Sequence, residues 1–348
     1  LSFASIALSL EIVEIQGIAM ILRLAVTLLF FGLPLMVSAQ CGGGDLRLQM
    51  PQDQTNEMAQ NVQRIPFAEG NHWQAVKDSR TVHVIGTIHV YDPRLEPVMD
   101  RLQPLIESAD LILLEATPEE EKKLQAAITT NPALVFLTDG PTLPELMPED
   151  DWQRLSAAAA SRGIPPFMAS KFQPWYLSLL MGIPGCAMQE AVAGARGLDH
   201  MIGDVATAAG VQMRALEPFD MLFGLFNDDP LDEQIRMLTL SVMPDQLSED
   251  ALFTLKETYF EQSPAEAWEF SRYLARTLLD LPIAEVDQLF GELEDLLLTQ
   301  RNAAWLPRIE GASGDLIVVA VGGAHLMGEN GVLQLLENAG YTLTRQAF

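Results

Sequence analysis

Two short apolar runs in this chain each end in a glycine-containing turn that closes on histidine. The first is Val82-His83-Val84-Ile85-Gly86-Thr87-Ile88-His89, and the second is Leu316-Ile317-Val318-Val319-Ala320-Val321-Gly322-Gly323-Ala324-His325. Glycine permits a sharp turn, so each Gly-x-x-His sets an imidazole just beyond a β-branched strand. If both strands belong to one parallel sheet, the two rings meet in the crevice where such sheets bind ligands. A third run, Leu111-Ile112-Leu113-Leu114, ends in the same way on Glu115. Neutral imidazole and carboxylate oxygen together suit Zn, Mn, Co or Fe, which nominates His89, Glu115 and His325 as ligands of one divalent ion. Water on such an ion becomes a hydroxide able to attack a carbonyl. The plainer alternative makes each histidine a satisfied turn residue and Glu115 the solvated end of a strand. Two such loops near opposite ends of the mature chain favour the functional reading.

Other polar residues carry weaker signals. Val211 to Leu216 reads as a strand ending on Glu217, and Asp199 opens a helix at Asp199-His200-Met201-Ile202. Both are possible additional ligands, although Asp199 equally suits a helix cap, as does Asp92 before Pro93. Arg301 and Asn302 sit late in a long amphipathic helix, where arginine ordinarily compensates the helix dipole. A guanidinium there could instead clamp a substrate carboxylate or an oxyanion. His72, His83 and His200 have no comparable setting and read as structural. Gly-x-Ser-x-Gly, Walker, dinucleotide and His-Glu-x-x-His motifs do not occur.

The surrounding pattern predicts the scaffold. Trp73–Val76 and Thr81–Ile88 form a β-hairpin, and a helix follows Asp92-Pro93 with Leu95, Val98, Met99, Leu102, Leu105 and Ile106 on one face. Strand 111–114 then closes a right-handed strand–helix–strand unit, which makes its strands parallel. Residues from about 118 to 308 read as a large helical region, with Glu119 to Lys123 as the solvated first turn of a helix. The chain returns to strand 316–321, a helix over 331–339 and a strand over Tyr341–Thr344. The predicted fold is α/β: a central mixed, largely parallel sheet formed by the N- and C-terminal parts around a helical middle.

Totals narrow the setting. The 348 residues hold 21 Lys and Arg against 47 Asp and Glu, a formal charge of −26, which repels phosphate backbones and argues against nucleic-acid partners. Met20 to Arg23 and Leu24 to Phe31 read as the n- and h-regions of a signal peptide, cleaved after Val37-Ser38-Ala39. Residues 1–39 are thus set apart as leader, with Met20 the suspected start, and 40–348 as the mature domain. An uncleaved membrane anchor is the alternative; cleavage implies export, to a bacterial periplasm, without stable membrane insertion. In an oxidising compartment the two cysteines, Cys41 and Cys186, are expected to pair, the alternative being two unrelated buried thiols.

Taken in order, these motifs resemble the TraB/GumN family, which is related to the TIKI metalloproteases and to erythromycin-esterase-like and haem-binding ChaN-like proteins. The resemblance is carried by Gly86-Thr87-Ile88-His89 with Asp92 and Arg94, Leu113-Leu114-Glu115, Gly197-Leu198-Asp199, Leu216-Glu217, Arg301-Asn302 with Trp305, and Val321 to His325. Cys41-Gly42-Gly43 and Pro174-Trp175 add to it, so it spans roughly 41 to 340. It implies a metal-dependent hydrolase, most readily a peptidase, acting on a peptide or small-molecule substrate. His89, Glu115 and His325 would form the active site, supported by Arg301 and Asn302. A non-catalytic haem- or iron-binding protein using the same histidines is the rival. One departure is Pro218-Phe219-Asp220 after Glu217, where many relatives continue with Thr and Gln.

Overall fold

A computed structural model describes residues 41–221, 223 and 229–348. The leader and its cleavage site therefore lie outside the described residues. Six strands form one sheet: β1 (His72–Lys77), β2 (Arg80–Thr87), β3 (Leu111–Leu114), β4 (Met213–Ala215), β5 (Leu316–Gly322) and β6 (Thr342–Arg345). Their spatial order is β4-β3-β5-β2-β1-β6. β2 pairs in parallel with β5, and β3 pairs in parallel with both β5 and β4; β1 alone runs against its neighbours, β2 and β6. The mixed, largely parallel sheet built from both ends of the chain is thus present, as the pattern of apolar runs requires.

Side chains on the central strands alternate between two covered faces. Val82, Val84, Leu111, Leu113, Ile317, Val319 and Val321 pack one way, against α5 (Gln300–Glu310) and α6 (Val332–Asn338). Ile85, Ile112, Leu114, Val318 and Ala320 pack the other way, against α1 (Leu95–Ser108), α3 (Leu198–Ala209) and Tyr259 of α4 (Asp245–Phe260). Burial on both faces explains why these strands read as unbroken apolar runs. It also leaves their carboxyl ends as the place where polar groups gather.

The middle of the chain is helical, and part of it has its own core. Leu143, Leu155, Phe172, Trp175, Tyr176, Leu177 and Leu238 cluster together away from the sheet. A strap near the described N-terminus ties this region down through a disulfide between Cys41 and Cys186, with Cα atoms 5.2 Å apart. Leu46 N–H then donates to Thr254 Oγ1 at 2.9 Å, and Arg47 pairs with Glu261 and Glu266. Among the described residues no helix is long and apolar enough to cross a membrane.

Two local details depart from the sequence reading. The Glu119–Lys123 cluster opens α2 (Pro118–Thr130), but only in part as a solvated turn. Glu120 accepts the Phe219 N–H at 3.0 Å, and Glu121 faces the buried ring of His200 at 3.0 Å. The strand before Glu217 is shorter than Val211 to Leu216: its ladder with β3 covers Met213–Ala215, flanked by the bonds from Ile112 N–H to Gln212 O and from Leu216 N–H to Leu114 O.

Candidate active site

The parallel register sets Thr87 opposite Gly322, so β2 and β5 finish side by side and their two Gly-x-x-His loops leave the sheet together. Glu115 leaves the end of β3 next to them, and its Oε1 accepts the Gly322 N–H at 2.6 Å. A Cβ placed on Gly322 would lie 3.4 Å from Glu115 Oε1, 3.6 Å from His325 Cδ2 and 3.9 Å from His89 Nε2. The three residues nominated from the sequence therefore converge on the open face of one glycine.

Each ring is held from behind. His325 is buried, and its Nδ1 lies 2.7 Å from Asn302 Oδ1. The Asn302 amide nitrogen donates to the carbonyls of Asn330 at 2.9 Å and His325 at 3.4 Å, which fixes its oxygen toward the ring. Nδ1 therefore carries the proton and Nε2 the lone pair. Burial pushes the His325 pKa down to about 3, against the pull of Glu115 and with help from Arg301, so the ring is neutral. Trp305 lies tilted against it at 4.4 Å between ring centroids and shields it.

His89 is less enclosed, with 36% of its side chain exposed. Its Nδ1 sits 3.3 Å from Asp199 Oδ2, and His200 Nδ1 reaches the same oxygen at 3.1 Å. Neither N–H points squarely at an acceptor, because one oxygen serves two rings. Asp199 is not the helix cap; that position belongs to Gly197. A Cβ on Gly197 would fall 2.2 Å from Ile88 O and 2.6 Å from His89 Cα, so only glycine lets α3 start hard against the His89 loop. Burial acts to raise the Asp199 carboxyl, but His89 and His200 hold it well below the usual carboxylate range.

His200, which read as structural, belongs to this group. Burial lowers its basicity, and Asp199 with Glu121 outweighs that and raises its pKa to about 9. The signal that could have found it is its place directly after Asp199, but one turn of α2 had to be brought across the fold to supply Glu121.

Arg301 occupies the other side of Glu115. Its Nη2 donates to Glu115 Oε2 at 2.6 Å and Glu217 Oε1 at 2.7 Å, while Nε donates to Glu217 Oε2 at 3.0 Å. Nη1 donates to Leu297 O at 3.1 Å and lies 3.3 Å from His325 Nε2. The helix-dipole reading of Arg301 is overturned: a π-helical stretch, Asp295–Thr299, precedes α5 and places Arg301 in its first turn, aimed inward. Burial raises the Glu217 carboxyl despite Arg301, whereas at Glu115 burial is outweighed by His325 and Arg301 and the pKa is held low. Trp305 Nε1–H completes the Glu217 contacts at 3.2 Å.

The arrangement bears on the expected ion. Among the described residues no three His, Asp or Glu groups are drawn tightly enough to form an ion-holding cluster. The donor chemistry nevertheless suits a divalent metal: the imidazoles of His89 and His325, whose far nitrogens lie toward Asp199 and Asn302, and Glu115 Oε1, which accepts one N–H and keeps a second lone pair. Beside them lies a cavity of about 10 Å³ lined by Thr87, His89, Glu115, Glu121 and Asp199. It has room for one water or ion and is far too small for a macrocycle. The buried Thr87 Oγ1 and Asp199 Oδ1 have no hydrogen-bond partner among the described residues.

The TraB/PrgY/gumN family matches residues 71–345, which include all six strands and every site residue named above. The chain is 25% identical over 279 residues to the uncharacterized protein YbaP of Escherichia coli (strain K12), covering 77% of this chain and 94% of that protein. YbaP of Shigella flexneri matches with the same identity and coverage. The chain belongs to the TraB/PrgY/gumN family.

Proposed function

We propose that the protein is an exported, periplasmic metal-dependent hydrolase acting on a peptide bond. The carrying observation is the convergence of His89 Nε2, Glu115 Oε1 and the His325 ring on the open face of Gly322. In this reading His89, His325 and Glu115 hold the ion, which when bound supplies a nucleophilic hydroxide and polarises the scissile carbonyl. Asn302 keeps the His325 proton on Nδ1, so Nε2 faces inward. Arg301 releases His325 Nε2 while keeping its two carboxylates, and the one Nη1–H so freed can then bind a developing oxyanion. Glu217, whose carboxyl burial pushes up, is the residue best placed to give or take a proton. The Cys41–Cys186 disulfide is in keeping with export.

The test is metal content and peptide hydrolysis with Mn²⁺, Co²⁺, Zn²⁺ or Fe²⁺, measured on the wild type, His89→Ala, His325→Ala and Glu115→Gln. Both histidine variants should stay folded and lose most metal and turnover. For Glu115→Gln, kept metal with lost turnover marks a base, and lost metal marks a ligand. Wild-type-like metal and turnover in both histidine variants rejects the mechanism. A Soret band in the purified protein would favour the haem-binding alternative.

A further inference from the structure

The row of groups behind His89 extends further than the site needs if each residue merely fills space. His200 is 9% exposed, and each of its ring nitrogens faces a carboxylate: Nδ1 at 3.1 Å from Asp199 Oδ2, and Nε2 at 3.0 Å from Glu121 Oε1. Two acceptors at two ring nitrogens require both nitrogens to carry protons. The ring thus bridges two helices, α2 through Glu121 and α3 through its own backbone. Asp199 Oδ2 is the shared point, since His89 Nδ1 approaches it from the other side at 3.3 Å.

A carboxylate on a two-bond side chain turns freely when one ring alone holds it. With ring nitrogens set against Oδ2 from two sides, at 3.1 and 3.3 Å, its orientation is confined, and that orientation decides which His89 nitrogen keeps the proton. With Oδ2 on Nδ1, the lone pair lies on Nε2, the atom that faces Gly322. We propose that His200 is a positioning residue: braced on Glu121, it fixes the Asp199 carboxylate against Nδ1 of His89 and so holds the Nε2 lone pair toward the site. The usefulness of that lone pair rests on the hydrolase reading above; the positioning itself does not.

The experiment uses the full mature chain with His200→Ala and His200→Asn. Asparagine places an amide N–H near the position of Nδ1, so it still reaches Asp199, but it is too short to reach Glu121. Two quantities are read after circular dichroism confirms folding. The first is the ¹⁵N spectrum of the His89 imidazole in metal-free, chelator-treated protein. Wild type should show a protonated Nδ1 and a bare Nε2, His200→Ala a mixture of both tautomers, and His200→Asn a return toward wild type. The second is Mn²⁺ affinity by calorimetry, expected to fall about 10- to 100-fold in His200→Ala and less in His200→Asn. A folded His200→Ala with the wild-type His89 tautomer overturns the proposal. So does failure of both variants to fold, since His200 is then structural. If wild type takes up no Mn²⁺, the ion reading fails on its own, and the tautomer measurement still decides the positioning role.

Discussion

His325 Nδ1 lies 2.7 Å from Asn302 Oδ1, so the ring proton is pinned on the side away from His89 and Glu115. Asn302 is itself 2% exposed and spends its amide hydrogens on two carbonyls, leaving it no freedom to flip. Asn302→Ala should cost about 1–3 kcal/mol, the penalty for stranding buried polar partners, measured by urea unfolding. It should also let the His325 proton move to Nε2, visible in ¹⁵N imidazole spectra. An unchanged tautomer would mean that Arg301, not Asn302, sets the ring.

Arg301 is the cation between two buried carboxylates, so its charge and its shape can be separated. Arg301→Met leaves Glu115 and Glu217 uncompensated and should destabilise by about 3–5 kcal/mol. Arg301→Lys keeps the charge but cannot reproduce three contacts from one planar fork, so it should fold, bind the ion and turn over substrate poorly. Equal unfolding midpoints for wild type and Arg301→Met would show that the two carboxylates are not ionised together.

Two glycines make opposite forecasts. Gly322→Ala meets no atom closer than 3.4 Å, so stability should change by less than about 0.5 kcal/mol while metal uptake and turnover fall at least tenfold. Gly197→Ala drives a methyl into the Ile88 carbonyl, and should cost about 1–3 kcal/mol by forcing the His89 loop from α3. Thermal unfolding beside metal titration distinguishes the two. Full metal binding in Gly322→Ala would remove that face as the ion's place.

Histidines set opposing slopes in the pH dependence of stability. Burial and its neighbour His72 hold His83 down to about 4, and burial also lowers His72; their ring nitrogens sit 2.9 Å apart. Both rings bind more protons unfolded than folded, so their contribution is complete above about pH 6.5 and lost as pH falls toward 4. His200 behaves inversely: raised to about 9, its contribution is complete below about pH 6.5 and lost as pH rises toward 9. Unfolding midpoints measured from pH 4 to 9 should therefore fall on both sides. His83→Gln should flatten the acid limb and His200→Asn the alkaline limb. An alkaline limb unchanged in His200→Asn would contradict the assigned imidazolium.

The Cys41–Cys186 bridge closes a loop across 145 residues. Chain entropy gives such a closure about 3–5 kcal/mol, so Cys41→Ser with Cys186→Ser should lower stability by that order. Thiol labelling of denatured, unreduced protein should find no free thiol. Two labelled thiols would refute the bridge.

Much of the scaffold was legible because burial on both sheet faces writes itself as apolar runs: 111–114 and 316–321 announced β3 and β5 almost to the residue. His89, Glu115 and His325 were legible for the same reason, as the first polar groups past those runs. For Arg301 dipole compensation stayed open beside the clamp reading because a helical period carries no sign of the π turn that re-aims it. His200 and Glu121 were missed because each is ordinary locally; only the docking of α2 on α3 makes them partners. The short β4 shows the same limit, since pairing, not apolarity, sets where a strand stops.

Pairing β2 with β5 also makes the site a late product of folding. Thr87 must find Gly322 across nearly the whole described chain, and contacts so distant in sequence form slowly because loop closure comes before reward. The helical region around Leu155, Phe172 and Leu238 has a core of its own and can condense earlier. As the chain emerges from its N-terminal side, the β1–β2 hairpin waits with both edges open until β5 and β6 arrive. A chain halted before residue 316 would therefore carry folded helices, His89 and Glu115 but lack Gly322 and His325, so the candidate site is withheld until synthesis has passed its last residue.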